Sequence, residues 1–157
     1  MLKRQKIEER IKKFRQIMQS EKLPITPQKL SIFQFIASID THPTAQEIYK
    51  KMQYYFENIA FATVYKNLKK FENLNLIRLV EIRDNTARYD ANMESHHHLI
   101  NIETNEITDI EADQIPAIKL PNAFTQYDLE SVSINFFVHS KHQNRYEQYQ
   151  AQKQALD

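Results

Sequence analysis

Helix-period stripes crowd the first half of this 157-residue chain, and β-prone runs take over after Asn75. That order limits the available folds, because a period of 3.6 buries a stripe and a period of 2 buries a face. Ile7, Ile11, Phe14 and Met18 recur at helical spacing, so residues 3–20 read as an amphipathic helix with Lys and Arg outside. In "ITPQKLSIFQFIAS" Thr26 is placed as N-cap and Pro27 at the first helical position. Leu30, Phe33 and Ile36 or Ala37 then face inward, and this second helix ends near Asp40. In "THPTAQEIYKKM" Thr44 and Glu47 have the spacing of a capping box, which starts a third helix. The fourth comes from "IAFATVYKNLKKFENLN", with Val64, Leu68 and Phe71 buried and Thr63, Tyr65, Lys66, Asn67, Lys69 and Lys70 outside.

"LIRLVEI" and "TARYDA", joined by "RDN", predict a hairpin. Short helices followed by a two-stranded wing predict a winged helix-turn-helix. Its fourth helix mixes phosphate-seeking Lys66 and Lys70 with Thr63, Tyr65 and Asn67, which can reach base edges and thymine methyls. The wing and the first helix, with Lys13, would flank it on double-stranded DNA. A winged helix that serves protein contacts is the competing reading.

Charge favours DNA. Residues 1–91 hold 17 Lys/Arg against 10 Asp/Glu, whereas residues 92–157 hold 4 against 10. A basic half suits a polyanion, since neutralising phosphates releases counterions. A solvated lysine face is the plainer explanation.

Beyond residue 91 the pattern changes. "HHLINI" and "EITDI" read as strands around the turn "ETN", "EADQIPAI" as a short helix, "LESVSINFFVH" as a longer strand and "QNRYEQYQAQKQAL" as a polar C-terminal helix. The expected fold class is therefore α+β, with a winged helix-turn-helix over 1–91 and a small α/β domain over 92–157. Ile134, Phe136 and Val138 alternate on one face, and Phe137 must also find cover, as it would between the sheets of a homodimer. No apolar run is long enough for a membrane span and "MLKRQKIEER" has no apolar leader, so a cytoplasmic protein without a membrane partner is expected.

Two absences sharpen the chemistry. With no Gly, positions of positive φ must fall to Asn or Asp, and Asn75, Asn85 and Asn105 are the candidates. With no Cys, disulfides, zinc-thiolate sites and thiol redox sensing are excluded together. Any oxidant chemistry then needs a metal, a histidine or a methionine.

"RYDANMESHHHLI", residues 88–100, carries the strongest site signal. His96 and His98 are two apart and project to one face of a strand, while His97 points away. Asp90 and Asp109 bracket them, and His42, distant in sequence, can join through folding. Three imidazoles and two carboxylates suit Mn(II), Fe(II), Co(II) or Zn(II). An exposed histidine tract is the alternative.

At "LPITPQKLSIFQFI", "HPTAQEIYKKM", "FATVYKNLKKF" and "RYDANMESHHHLI" the chain resembles the ferric uptake regulator superfamily, most closely its peroxide-responsive branch. The resemblance spans roughly residues 15 to 142, with the segments in family order. It implies a dimeric, metal-dependent repressor, not an enzyme, built from a winged helix, a hinge and an α/β dimerisation domain. The family's regulatory ligands fall on His42, Asp90, His96, His98 and Asp109, with Fe(II) or Mn(II) as metal and Zn(II) possible in vitro. Aspartate rather than glutamate at position 109 implies peroxide sensing, in which iron promotes oxidation of His42 and His96 to 2-oxo-histidine. An iron, manganese or zinc uptake regulator of the same fold is the alternative. A small metalloenzyme is disfavoured by the basic winged helix and by the lack of a separate acid or base.

The chain departs from the family at its structural zinc site. Where many relatives carry two C-x-x-C motifs, this sequence has Asn101 and Thr104, then His139 and His142. Two histidines do not make a closed tetrahedral site, so no structural zinc is expected. His97 lacks a partner for the family's further histidine site and is expected to be exposed.

Overall fold

The computed structural model describes residues 2–81 and 87–140. Its backbone runs α1 (Leu2–Ser20), α2 (Pro27–Ser38), α3 (Ala45–Gln53), α4 (Phe61–Asn73), β1 (Arg78–Glu81), β2 (Ala87–Asp90), β3 (His96–Asn101), β4 (Glu106–Glu111) and β5 (Asn135–Val138). The caps form as the residue types dictate. Thr26 accepts from the Lys29 N–H with Pro27 behind it, and Thr44 and Glu47 close a reciprocal capping box.

The helical stripes meet at three rings. Phe14 of α1 stacks on Phe33 of α2 at 4.5 Å, and Phe71 of α4 packs edge-on to both at 5.6 and 5.8 Å. Such pairs each add about 0.5–1.5 kcal/mol to the burial of their area. Met18, Ile32, Ile36, Ile48, Met52, Val64 and Leu68 are almost wholly buried around them.

β1 and β2 pair antiparallel, Arg78 opposite Asp90. The segment before α3 joins this wing from the other side, through a bridge between Thr44 and Arg88 and a bond from the Tyr89 N–H to the Pro43 carbonyl at 3.0 Å. The second sheet has the order β4-β3-β5, with β3 antiparallel to β4 and parallel to β5. This is the α+β architecture of a winged helix followed by a small sheet.

Several expectations need correction. Asn67 is not on the outer face of α4: it is buried, and its Nδ2 donates to the Thr63 carbonyl at 2.8 Å. Val64, Asn67, Leu68 and Phe71 share the i, i+3, i+4, i+7 stripe, so helical geometry turns the amide inward. His97, on the central strand β3, is buried rather than exposed, since strand alternation sets a side chain's direction but not what covers it. The strand expected over "LESVSINFFVH" is only Asn135–Val138, which pairs with His98–Asn101 of β3. "EADQIPAI" forms a single 3-10 turn at Ala112–Gln114. Positive φ falls on Asn75 and Asn105 as expected, but also on Lys22 and His42. Asn85, His142 and the expected C-terminal helix lie outside the described residues.

Candidate metal centre

His42 occupies the turn before α3 with φ 49, a left-handed conformation that a bulky residue adopts at a cost of about 1–3 kcal/mol. Neighbours enforce it. Arg88 of β2 donates from Nη1 to the His42 carbonyl at 3.0 Å, and the bridge at Thr44 fixes the next turn of chain. His96 and His98 project from one face of β3, and the register of β4 places Asp109 directly opposite His98. Asp90 ends the wing two residues before the buried Asn92.

Folding brings these five residues together. One ligand atom each from His42, His96, His98 and Asp109 lies within 4.8 Å of the others. His42 Nε2 is 3.0 Å from Asp109 Oδ1, and His96 Nε2 is 3.1 Å from Asp90 Oδ2. Asp90 Oδ1 stands 4.0 Å from His42 Nε2. The three imidazoles and Asp90 are buried, while the Asp109 side chain keeps 25% of its surface exposed.

The hydrogen bonds decide which ring nitrogens face inward. His42 Nδ1 lies 3.1 Å from the Asp40 carbonyl, His96 Nδ1 2.9 Å from the Glu94 carbonyl, and His98 Nδ1 3.2 Å from Asn135 Oδ1. A carbonyl oxygen only accepts, so each Nδ1 carries a proton and each neutral ring presents an Nε2 lone pair to the centre. A backbone or side-chain carbonyl on the distal nitrogen is the usual orienting partner of a metal-bound histidine.

Without a proton or a cation this arrangement is unfavourable. His96 Nε2 and His98 Nε2 are 3.0 Å apart, two lone pairs facing each other if both rings are neutral. His42 Nε2, Asp90 Oδ2 and Asp109 Oδ1 are buried with no hydrogen-bond partner of good geometry among the described residues. Each such orphan costs about 1–3 kcal/mol. A divalent cation among these atoms would satisfy all of them, and nitrogen with carboxylate oxygen is a donor set for first-row transition metals.

The charges respond to one another in the same way. Burial alone would lift the Asp109 carboxyl, but the contacts with His42 and Asn92 and the imidazole charges lower it to about 2. Burial would depress His96, and its close contacts with Asp90 and the Glu94 carbonyl together with the charges of Asp109 and Asp90 raise it instead. His98 is lowered, first by burial and then by the charges of His96 and His42.

The residues expected on DNA are dispersed by comparison. Tyr65, Lys66 and Lys70 are exposed on α4, Thr63 is partly exposed, and Lys13 is exposed on α1. Sequence reasoning missed three residues that build the centre. Arg88 and Asn92 sit inside "RYDANMES", and an Asn two positions after an Asp is a recognisable Asx-turn signal. Asn135 has no local signal, since only the β3–β5 pairing sets it beside His98.

Known proteins match the chain in sequence and in fold. The sequence profile of the ferric uptake regulator family matches residues 20–137. The peroxide-responsive repressor PerR of Staphylococcus aureus is 35% identical over 106 residues, which cover 67% of this chain and 72% of that one. In structure, the Helicobacter pylori ferric uptake regulator Fur superposes with a TM-score of 0.67 at 21% identity, over 86% of this chain and 91% of that one. PerR from Streptococcus pyogenes gives 0.51 at 22%, over 83% and 90%. A profile match over most of the length, together with the shared fold, establishes that this chain belongs to the ferric uptake regulator family.

Proposed function

We propose that this chain is a metal-dependent, DNA-binding transcriptional repressor that senses peroxide through iron-catalysed oxidation of its own histidines. One observation carries the reading: three imidazoles with every Nδ1 on a carbonyl turn their Nε2 atoms toward the free oxygens of Asp90 and Asp109, where the wing meets the second sheet. His42, Asp90, His96, His98 and Asp109 are the proposed ligands of Fe(II) or Mn(II), and Zn(II) can occupy the same donors in vitro. The name of the staphylococcal relative, a peroxide-responsive repressor, supports the finer assignment.

The working parts divide at the hinge. Residues 1–91 are the proposed winged-helix domain and residues 92–157 the dimerisation and sensing domain. Tyr65, Lys66, Lys70 and Thr63 would meet an operator in the major groove, with Lys13 on the adjoining backbone. A second copy would cover Phe136 and Phe137, both 39% exposed in the single chain. Structural zinc has no place in this reading. The amide of Asn101 is committed to Ser140 Oγ at 2.9 Å and its oxygen to the Glu103 and Thr104 N–H groups, while His139 lies 3.6 Å from Glu103. Among the described residues, no helix is long and apolar enough to cross a membrane, and the reading is of a cytoplasmic regulator rather than an enzyme.

Fe(II) held by His42, Asp90, His96, His98 and Asp109 would supply the one-electron chemistry that couples reduction of the peroxide O–O bond to oxidation of a neighbouring imidazole. In the net reaction one imidazole C–H and one hydrogen peroxide would give 2-oxo-histidine and one water, the two electrons coming from the ring. His42 and His96 are almost wholly buried, out of reach of an oxidant in bulk solvent, so modification there reports chemistry at the centre. Peroxide treatment of Fe(II)-loaded protein should add one oxygen to the His42 or His96 peptide in mass spectrometry and abolish operator binding. Unmodified histidines with intact DNA binding would instead indicate a regulator for which metal loading itself is the signal. For the DNA face, Lys66→Ala with Lys70→Ala should reduce the slope of log affinity against log salt by about 2. An unchanged slope would remove α4 from the interface.

A further inference from the structure

Four carboxylate oxygens border the centre, and two of them are already taken. Asp90 Oδ1 accepts the Asn92 backbone N–H at 2.6 Å, and Asp109 Oδ2 accepts the Asn92 side-chain Nδ2 at 3.1 Å. Among the described residues the other two, Asp90 Oδ2 and Asp109 Oδ1, are buried with no hydrogen-bond partner of good geometry, Arg78 Nε standing 3.8 Å from Asp90 Oδ2. Those two approach the imidazoles most closely, Oδ2 of Asp90 at 3.1 Å from His96 and Oδ1 of Asp109 at 3.0 Å from His42. One residue therefore sorts both carboxylates into a tethered oxygen and a free one.

Asn92 is itself held for this task. It is 6% exposed, and its Oδ1 accepts the Glu94 N–H at 3.3 Å. That bond fixes the amide plane so that Nδ2 points across to β4. Asn92 also lies between β2, which ends at Asp90, and β3, which begins at His96, so its two donors tie the wing to the second sheet.

We infer that Asn92 is a positioning residue that makes both carboxylates one-oxygen ligands. A carboxylate free to turn can offer a metal two oxygens, and two such groups with three imidazoles would fill a coordination shell. With one oxygen of each engaged by Asn92, the protein offers five donors and leaves room for a small molecule. The inference rests on the metal-centre reading above and adds the residue that sets the number of donors.

Co(II) titration of the full-length protein tests it, because the visible absorption of cobalt reports coordination number directly. Asn92→Asp retains the backbone N–H and an Oδ1 acceptor for Glu94, and replaces the donor to Asp109 with a charged carboxylate oxygen that cannot tether it. Asn92→Ala removes the whole amide and retains the backbone N–H. Each folded variant should still bind one cobalt per chain with a spectrum changed from the parent's five-coordinate bands toward the weaker absorption of a six-coordinate site. A parent-like spectrum in either folded variant overturns the inference while leaving the metal centre in place. A parent protein that binds no cobalt at all overturns the metal-centre reading and this inference together. Circular dichroism of the metal-free proteins identifies the folded variants, and Asn92→Asp, nearly the same shape as the parent residue, keeps the test available if Asn92→Ala does not fold.

Discussion

Among the described residues, the first half gathers sixteen buried residues into one apolar cluster around Phe14, Phe33 and Phe71, whereas the second sheet contributes only Ile100 and Ile107, packed with Val80 of the wing. The sheet half buries His96, His97, His98 and Asn92 instead, and leaves Phe124, Phe136 and Phe137 partly in solvent. Apolar area contributes about 25 cal/mol for each Å² removed from water, so the first half carries its own stability. Buried imidazoles and carboxylates contribute only when their charges and lone pairs are matched. A single chain thus joins a half held by hydrophobic packing to one that buries polar and titratable groups.

The largest test of the contrast is Phe71→Ala. Loss of the ring that touches both Phe14 and Phe33 should cost about 3–5 kcal/mol in chemical denaturation, and Mn(II) should not restore it. Restoration by metal would mean that the two halves share one core. Next in size is the effect of metal on the intact chain. Mn(II) at about 100 times its dissociation constant should add up to about 2.7 kcal/mol of protection to β3 and β4 in hydrogen exchange, and little to α1 and α2. Equal protection of both halves would contradict a local role.

Arg88→Ala probes the junction. The His42 carbonyl loses its anchor, so metal affinity should fall about 10-fold, as for other residues that orient a ligand, with the helical melting transition little changed. A fall in melting temperature without loss of affinity would make Arg88 a purely structural contact. The smallest expected effect is that of pH. His96 is raised above its ordinary 6.5, so its protonated form stabilises the metal-free fold below that value, and the contribution is lost as pH rises through the folded pKa. Metal needs the unprotonated ring. Raising the pH from about 6 to about 8 should therefore weaken the metal-free protein slightly while tightening Mn(II) binding. His96→Gln should flatten the first of these trends.

Much of this was legible along the chain because the deciding interactions are local. Thr26, Pro27, Thr44 and Glu47 mark helix starts within four residues of the groups they cap, and Val64, Leu68 and Phe71 declare a buried stripe by spacing alone. The same rule, applied fully, would have taken Asn67 off the DNA face. The pair His96 and His98 follows from strand alternation, and the place of Asp109 from a hairpin. His97 is buried although it points away from the pair, because alternation along a strand gives direction but not cover.

The order of elements, the caps, the stripe residues and the types of the five clustered side chains depend on neighbours a few positions away, and so can be read along the chain. How those side chains face one another follows from contacts made only in the folded chain. The left-handed turn of His42 depends on Arg88, the orientation of His98 on Asn135, and the free oxygens of Asp90 and Asp109 on Asn92. Arg88 and Asn135 lie 46 and 37 residues from the groups they hold, and Asn92 reaches 17 residues to Asp109. Contacts across such separations exist only once the strands have paired, because a hydrogen bond is specified by distance and direction in space and leaves no period in the sequence.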